Sequence, residues 1–198
     1  MRKTASLILL LSATSLLGQE AKKIEVEGGT PDETASTRLA FFGEKTAVGQ
    51  FAINYGRPAW RAAYDAPGAF DKMTKGKVWR MGMNFWTTFY TDLPLTISGT
   101  SVAPGLYFLG VDRAADGSWS LAFIDPVKTR AGHVDAFYMD QAKVEFKAPL
   151  HEEAPEKDAV QKLTVTIDHG AADIKKATLR IAWGHLALSA PVAVTLGS

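Results

Sequence analysis

Three stretches in the second half of the chain leave little freedom in the choice of fold. Leu163, Val165 and Ile167 alternate with Lys162, Thr164 and Thr166; Leu179, Ile181 and Trp183 alternate with Thr178 and Arg180; Val144 and Phe146 alternate with Lys143, Glu145 and Lys147. Strict alternation puts every apolar side chain on one face of a strand, so each segment needs a dry layer beneath it and water above. Phe51, Ile53 and Tyr55 repeat the pattern against Gln50, Ala52 and Asn54, as do Trp119, Leu121 and Phe123 against Ser118, Ser120 and Ala122. Leu106 to Val111 is apolar on both faces and reads as a central strand. Ser98-Gly99, Pro104-Gly105, Asp116-Gly117 and Gly184-His185 supply turns between them. About nine short strands without a sustained helical period predict an all-β fold: an antiparallel β-sandwich, or a related barrel, with one long loop. Pro191, inside the last strand from Leu186 to Val194, predicts an edge position or a bulge there.

The start of the chain has a different character. Arg2 and Lys3 precede an apolar run through Leu7 to Leu11, Ala13, Leu16 and Leu17, and Gly18 offers a small cleavage position. Residues 1–18 therefore read as a secretory signal peptide, too short in apolar residues to span a bilayer as a retained helix. Residues 19–37 are polar, with Gly28, Gly29, Thr30, Pro31 and Asp32 together, and read as a flexible leader. Residues 38–198 are then a single β-sandwich domain. Removing eighteen residues, and with them Arg2 and Lys3, leaves 180 residues with 20 basic and 21 acidic side chains. That near-balance, with the lysines scattered, gives no basic stripe for nucleic acid. The chain has no cysteine, which excludes disulfides and thiol chemistry. The expectation is an exported protein, periplasmic or extracellular, with no membrane span in the mature chain and packing as its source of stability.

One stretch is too dense in large and polar groups for an ordinary loop. Between Lys75 and Thr91 lie Trp79, Trp86, Phe85, Phe89, Tyr90, Arg80 and Asn84, arranged around Gly82. It comes after a segment, Ala59 to Lys75, that shows neither strand nor helix period and reads as a long connection with about one helical turn. Arg57 and Arg80 offer planar donor forks, Asn84 an amide, and Tyr55 and Trp79 flat faces, a set able to hold a carboxylate, a phosphate or a sugar. The same residues also suit a scaffold: Trp79 in the core, Arg80 stacked on an aromatic ring, Asn84 capping the turn at Gly82.

Asn54-Tyr55-Gly56-Arg57-Pro58, Gly76-Lys77-Val78-Trp79-Arg80-Met81-Gly82-Met83-Asn84 with Thr87-Thr88, Pro104-Gly105-Leu106-Tyr107, Trp119-Ser120-Leu121 and Leu179 to Trp183 occur in that order. Together they resemble the bacterial exported family called domain of unknown function 2911, over roughly Val48 to Val194. Met83 stands where the family usually has alanine, and Arg61-Ala62-Ala63 where it has Lys-Gly-Arg. The family carries no assigned reaction, so the resemblance implies an exported, β-rich domain and nothing about chemistry.

Other signals are sparse. His133, His151, His169 and His185 are far apart and lack metal-ligand spacing, so no metal or cofactor is expected. There is no serine-nucleophile elbow and no glycine-rich phosphate loop ahead of a helix. The leading expectation is non-catalytic binding of a small polar or anionic ligand, a glycan or carboxylate, through Tyr55, Arg57, Trp79, Arg80 and Asn84. Two alternatives stand beside it. One is a hydrolase of envelope or extracellular polymers drawing a carboxylate pair from Asp65, Asp71, Asp135, Asp140 or Glu145. The other is a structural envelope module that presents an apolar patch.

Overall fold

The computed structural model describes residues 32–197. The signal peptide and most of the leader lie outside them. Twelve strands form one antiparallel sheet: β1 (Thr34–Phe42), β2 (Ala47–Gly56), β3 (Lys77–Arg80), β4 (Thr87–Thr91), β5 (Leu95–Ile97), β6 (Thr100–Val102), β7 (Gly105–Arg113), β8 (Trp119–Ile124), β9 (Val144–Glu152), β10 (Val160–Gly170), β11 (Asp173–Gly184) and β12 (Leu186–Val194). Two short helices interrupt them, α1 (Ala69–Thr74) and α2 (Pro126–Ala131), with 3-10 turns at Ala62–Asp65 and Ala136–Gln141. None of these helices is long and apolar enough to cross a membrane.

The main path runs β1-β2-β4-β7-β8-β9-β12-β11-β10 and stays open. It folds over so that its two halves share one core. Phe51, Ile53, Phe89, Leu109 and Leu121 from the first half pack in the same buried cluster as Leu163, Val165, Leu179, Ile181 and Leu188 from the second. All but Phe89 and Leu188 belong to the alternating or doubly apolar runs read from the sequence, so the period-two pattern turns them to the same interior.

The all-β antiparallel expectation holds, with three more strands than the nine expected. β3 is four residues long and too short to show a period. β1 begins at Thr34, inside the stretch read as leader, and its alternation is carried by half-buried rather than fully buried side chains. The region after Asp125-Pro126 contains α2, capped by the Asp125 carboxylate accepting from the Val127 and Lys128 amides. Pro191 lies on an interior strand. β12 pairs with β9 through Leu188 and Ser189 and with β5 from Val192 to Val194, and the proline falls in the gap where the neighbour changes. A missing N–H is tolerated at such a switch as well as at an edge.

β7 determines where the aromatic-rich stretch goes. Along one side it pairs with β8; along the other it pairs with β4 through Gly105 to Leu109 and then with β3 through Gly110 to Arg113. β3 and β4 are thus one strand interrupted by the excursion Met81 to Trp86. The excursion packs backbone to backbone on the end of β2: a Cβ at Gly56 would sit 2.5 Å from the Met83 carbonyl oxygen, and one at Gly82 would sit 2.7 Å from Thr87 Oγ1. The Thr87 hydroxyl donates to the Met81 carbonyl and pins the base of the loop.

Beyond β2 the chain lies along the free edge of β10. Trp60 N–H donates to the Gln161 carbonyl at 2.7 Å and Leu163 N–H to the Pro58 carbonyl at 3.1 Å. This course lays the Trp60 indole on Gly184, where an added Cβ would come within 2.2 Å of the ring and the backbone has φ of +59°. Gly76 has a similar φ of +72° with open space around it. Gly184→Ala combines left-handed strain with overpacking, about 2–5 kcal/mol together. Gly76→Ala carries strain alone, about 1–2 kcal/mol. At about 2–4 °C per kcal/mol, thermal unfolding followed by circular dichroism should show the larger fall for Gly184→Ala; equal falls would remove the Trp60 contact from the account.

Candidate functional site

The five residues singled out from sequence separate into two groups. Tyr55 and Arg57 face β10. The buried Tyr55 hydroxyl accepts from Val165 N–H at 2.8 Å and lies 3.5 Å from its carbonyl. Arg57 donates from Nε to the Leu163 carbonyl and from Nη2 to Thr164 Oγ1, both at 3.0 Å, with the Glu33 carboxylate 3.9 Å from Nη1. β10 has no strand on its outer side, so the bonds to Leu163 and Val165 satisfy backbone groups that an open edge leaves free.

Trp79, Arg80 and Asn84 meet at the C-terminal end of β3, where they line one cavity of about 510 Å³. Trp79 is half-buried and packs on Trp183 and Trp119, ring centroids 5.9 and 6.5 Å away. The Arg80 guanidinium lies 4.5 Å over the ring of Phe137, whose side chain is 68% exposed and covers it from outside. Asn84 takes φ of +64°, a conformation asparagine tolerates, and donates from Nδ2 to Asp32 Oδ1 at 2.6 Å. Trp79 Nε1 and Arg80 Nη1 are buried and have no hydrogen-bond partner among the described residues. Burial pushes the Arg80 pKa below its ordinary value, and the charge of nearby Asp135 opposes that shift.

Arg61, Tyr64, Met83 and Trp183 complete much of that lining. Arg61 was legible as a basic residue in the long connection, but nothing in its local pattern ties it to Arg80. Trp183 was legible only as an inward strand residue. Asp135 and Asp140 lie near Arg80: Asp140 lines a smaller adjoining cavity, and Asp135 caps the Ala136–Gln141 turn by accepting from Phe137 N–H at 2.8 Å. Glu145 is paired with Lys128 at 2.9 Å. Among the described residues no three His, Asp or Glu side chains converge as metal ligands.

A second cavity, of about 420 Å³, adjoins the first and shares Tyr64 with it. Its aromatic lining comes from Trp60, Tyr64 and Phe70 in the connection and Trp119 on β8. Asp65, Asp71 and Glu152 line it too, with Arg113 and His185. Trp60 stands edge-on to Trp183 at 5.1 Å, and Phe70 lies 5.5 Å from Trp60. The indole layer therefore separates a cavity whose charged lining is arginine from one whose charged lining is mostly carboxylate.

The loop after β9, which contributes Pro155 to the second cavity, is tied down by Arg180. Arg180 donates from Nε to Glu153 Oε2 at 2.8 Å and from Nη2 to Glu156. The Arg180 hydrogen bond holds the Glu153 carboxyl below its ordinary range, so protonation is harder in the folded state. A depressed folded pKa contributes stability above the unfolded value, about pH 4.3, and that contribution is lost as pH falls through the folded value. Arg180→Met should therefore lower the unfolding midpoint near pH 7, with the gap to wild type narrowing below about pH 4. A gap that stays constant down to pH 3 would show that the pair contributes no such linkage.

No curated protein and no solved structure matches the chain. The family described as "Protein of unknown function (DUF2911)" matches residues 38–192, which span every element from within β1 to within β12, and the chain belongs to that family.

Proposed function

We propose that the domain binds a small anionic ligand, a carboxylate or an oxyanion of similar size, in the cavity at the end of β3, and does so without turning it over. The unpartnered donors on β3 carry this reading. A buried N–H has already given up its water, so an acceptor that reaches it restores a bond whose absence costs about 1–3 kcal/mol. Trp79 Nε1 and Arg80 Nη1 are two such donors on adjacent residues. The charge of the lining supports an anion, since Arg61 and Arg80 contribute to it and no carboxylate does. Trp79, Tyr64 and Trp183 supply flat apolar walls beside those polar groups, the usual composition of a small-ligand site. The lining also carries no carboxylate, imidazole, serine or cysteine, which supports binding over turnover. Phe137, stacked on Arg80 and largely exposed, is the side chain that shifts to admit the ligand.

Calorimetric titration with acetate, phosphate and glucuronate at low ionic strength tests the reading. At least one of the three should bind, and Arg80→Met, which keeps the apolar stem, should weaken it about tenfold or more, or about 1.4 kcal/mol. The unfolding midpoint should stay within about 2 °C, as for a side chain that faces a ligand. If no anion binds and Arg80→Met lowers the midpoint by more than about 6 °C, Arg80 is scaffold and the proposal fails.

We place this binding outside the cytoplasm. The charged-then-apolar opening of residues 1–18 supports export. Expression of the full chain in a bacterial host should yield a periplasmic or secreted product lacking about that many residues by intact mass. A full-length product retained in the cytoplasm would refute export.

A further inference from the structure

We infer that the second cavity is a separate site for an organic ammonium group. Three carboxylates and one arginine line it, an excess of two carboxylates over arginine, and His185 Nε2 lies 3.9 Å from Asp65 Oδ1. Asp71 is the neutralised one, since Arg113 Nη1 donates to it at 2.6 Å. Asp65 and Glu152 have no lysine or arginine within ion-pair distance among the described residues. Each is instead oriented by an indole: Trp60 Nε1 donates to Asp65 Oδ1 and Trp119 Nε1 to Glu152 Oε2, both at 3.0 Å. That arrangement leaves the second oxygen of each carboxylate for a ligand and puts the two negative charges beside the ring systems that bond them.

The aromatic walls select the kind of cation. A negative charge on the N–H edge of an indole polarises the ring and strengthens the attraction of its face for a cation. The cavity already shows the interaction once, with the Arg113 guanidinium 4.8 Å over the Trp119 ring. A bare metal ion is disfavoured because the carboxylates are spread around the cavity and no three of them converge. An anion would meet the excess negative charge, and a neutral sugar would leave it uncompensated. An alkylammonium, with a charged head for Asp65 and Glu152 and an apolar body for Trp60 and Phe70, matches both parts of the lining. The volume of about 420 Å³ lies within the range of small-ligand sites.

The test uses the whole exported domain at pH 8, titrated with choline and with n-butylammonium, and with n-butanol and glucose as neutral counterparts. Binding is followed by calorimetry and tryptophan fluorescence. One or both cations should bind at millimolar concentration or below, and the neutral compounds should bind at least tenfold more weakly. Glu152→Gln and Asp65→Asn each keep a carbonyl acceptor for the indole N–H, so the fold is retained while one charge is removed. Each should weaken ammonium binding about fivefold or more, whereas Arg80→Met, in the other cavity, should leave it unchanged. Failure of both cations to bind, equal binding of their neutral counterparts, or indifference to both carboxamide variants would overturn the inference. An effect of Arg80→Met equal to that of Glu152→Gln would overturn the separation of this site from the anion cavity.

Discussion

An open sheet has to dispose of its edges, and in this protein the treatment of one edge decides the rest. β10 ends the path, and its outer N–H and C=O groups have no strand to pair with. They are met by the end of β2 and the segment beyond it: the Tyr55 hydroxyl, the Arg57 fork, and the backbone from Pro58 to Trp60. The lone bridge between Ala59 and Lys162 belongs to the same seam. Because that segment must run along β10, it cannot turn back at once to its own sheet. The connection that results, from Arg61 to Gly76, is long for geometric reasons, and it crosses the mouth of the fold carrying Tyr64 and Phe70, with Trp60 at its start.

The position of Trp60 is set by the seam, and the separation of the two cavities is set by Trp60. Its indole rests on Gly184, where the backbone leaves no room for a side chain, and meets Trp183 edge-on. Trp183 in turn donates from Nε1 to the Pro58 carbonyl at 3.0 Å, which ties the same layer back to the seam. The charged lining on the two sides of this aromatic layer differs, with Arg61 and Arg80 beyond Trp183 and Asp65, Asp71 and Glu152, beside Arg113, beyond Trp60.

The sequence made this architecture legible where a strand has one wet face. Alternation located β2, β8, β10, β11 and β12, and the doubly apolar run located β7 at the centre. The same alternation places Tyr55 in the inward series of Phe51 and Ile53, where it is buried with its hydroxyl on Val165. β3 was hidden because four residues cannot display a period. The second cavity was hidden because its aromatics come from a connection without a pattern and from β8, and its acids from that same connection and from the distant end of β9. The dense stretch around Gly82 was legible as a site of special geometry, and its cause is the interruption of one long strand into β3 and β4 along the side of β7.

The interruption bears on why Trp79 and Arg80 differ from their neighbours. Apart from Arg113 Nε, which is also buried without a partner among the described residues, the polar side chains around them are bonded: Trp60, Trp119 and Trp183 each place the indole N–H on an oxygen, Thr87 bonds to Met81, and Tyr55 and Arg57 bond to β10. A scaffold role for Arg80 predicts the same treatment, a buried carboxylate or a set of carbonyls around the guanidinium. The nearest charge, Asp135, instead uses a carboxylate oxygen to cap the next turn, and an aromatic ring lies where a carboxylate would be. An interior strand would have supplied acceptors from a neighbour, but β3 has β7 on one side and no strand on the other. Ending it at Gly82 leaves the two donors beside a cavity that Trp79 and Arg80 line, with no acceptor for them among the described residues.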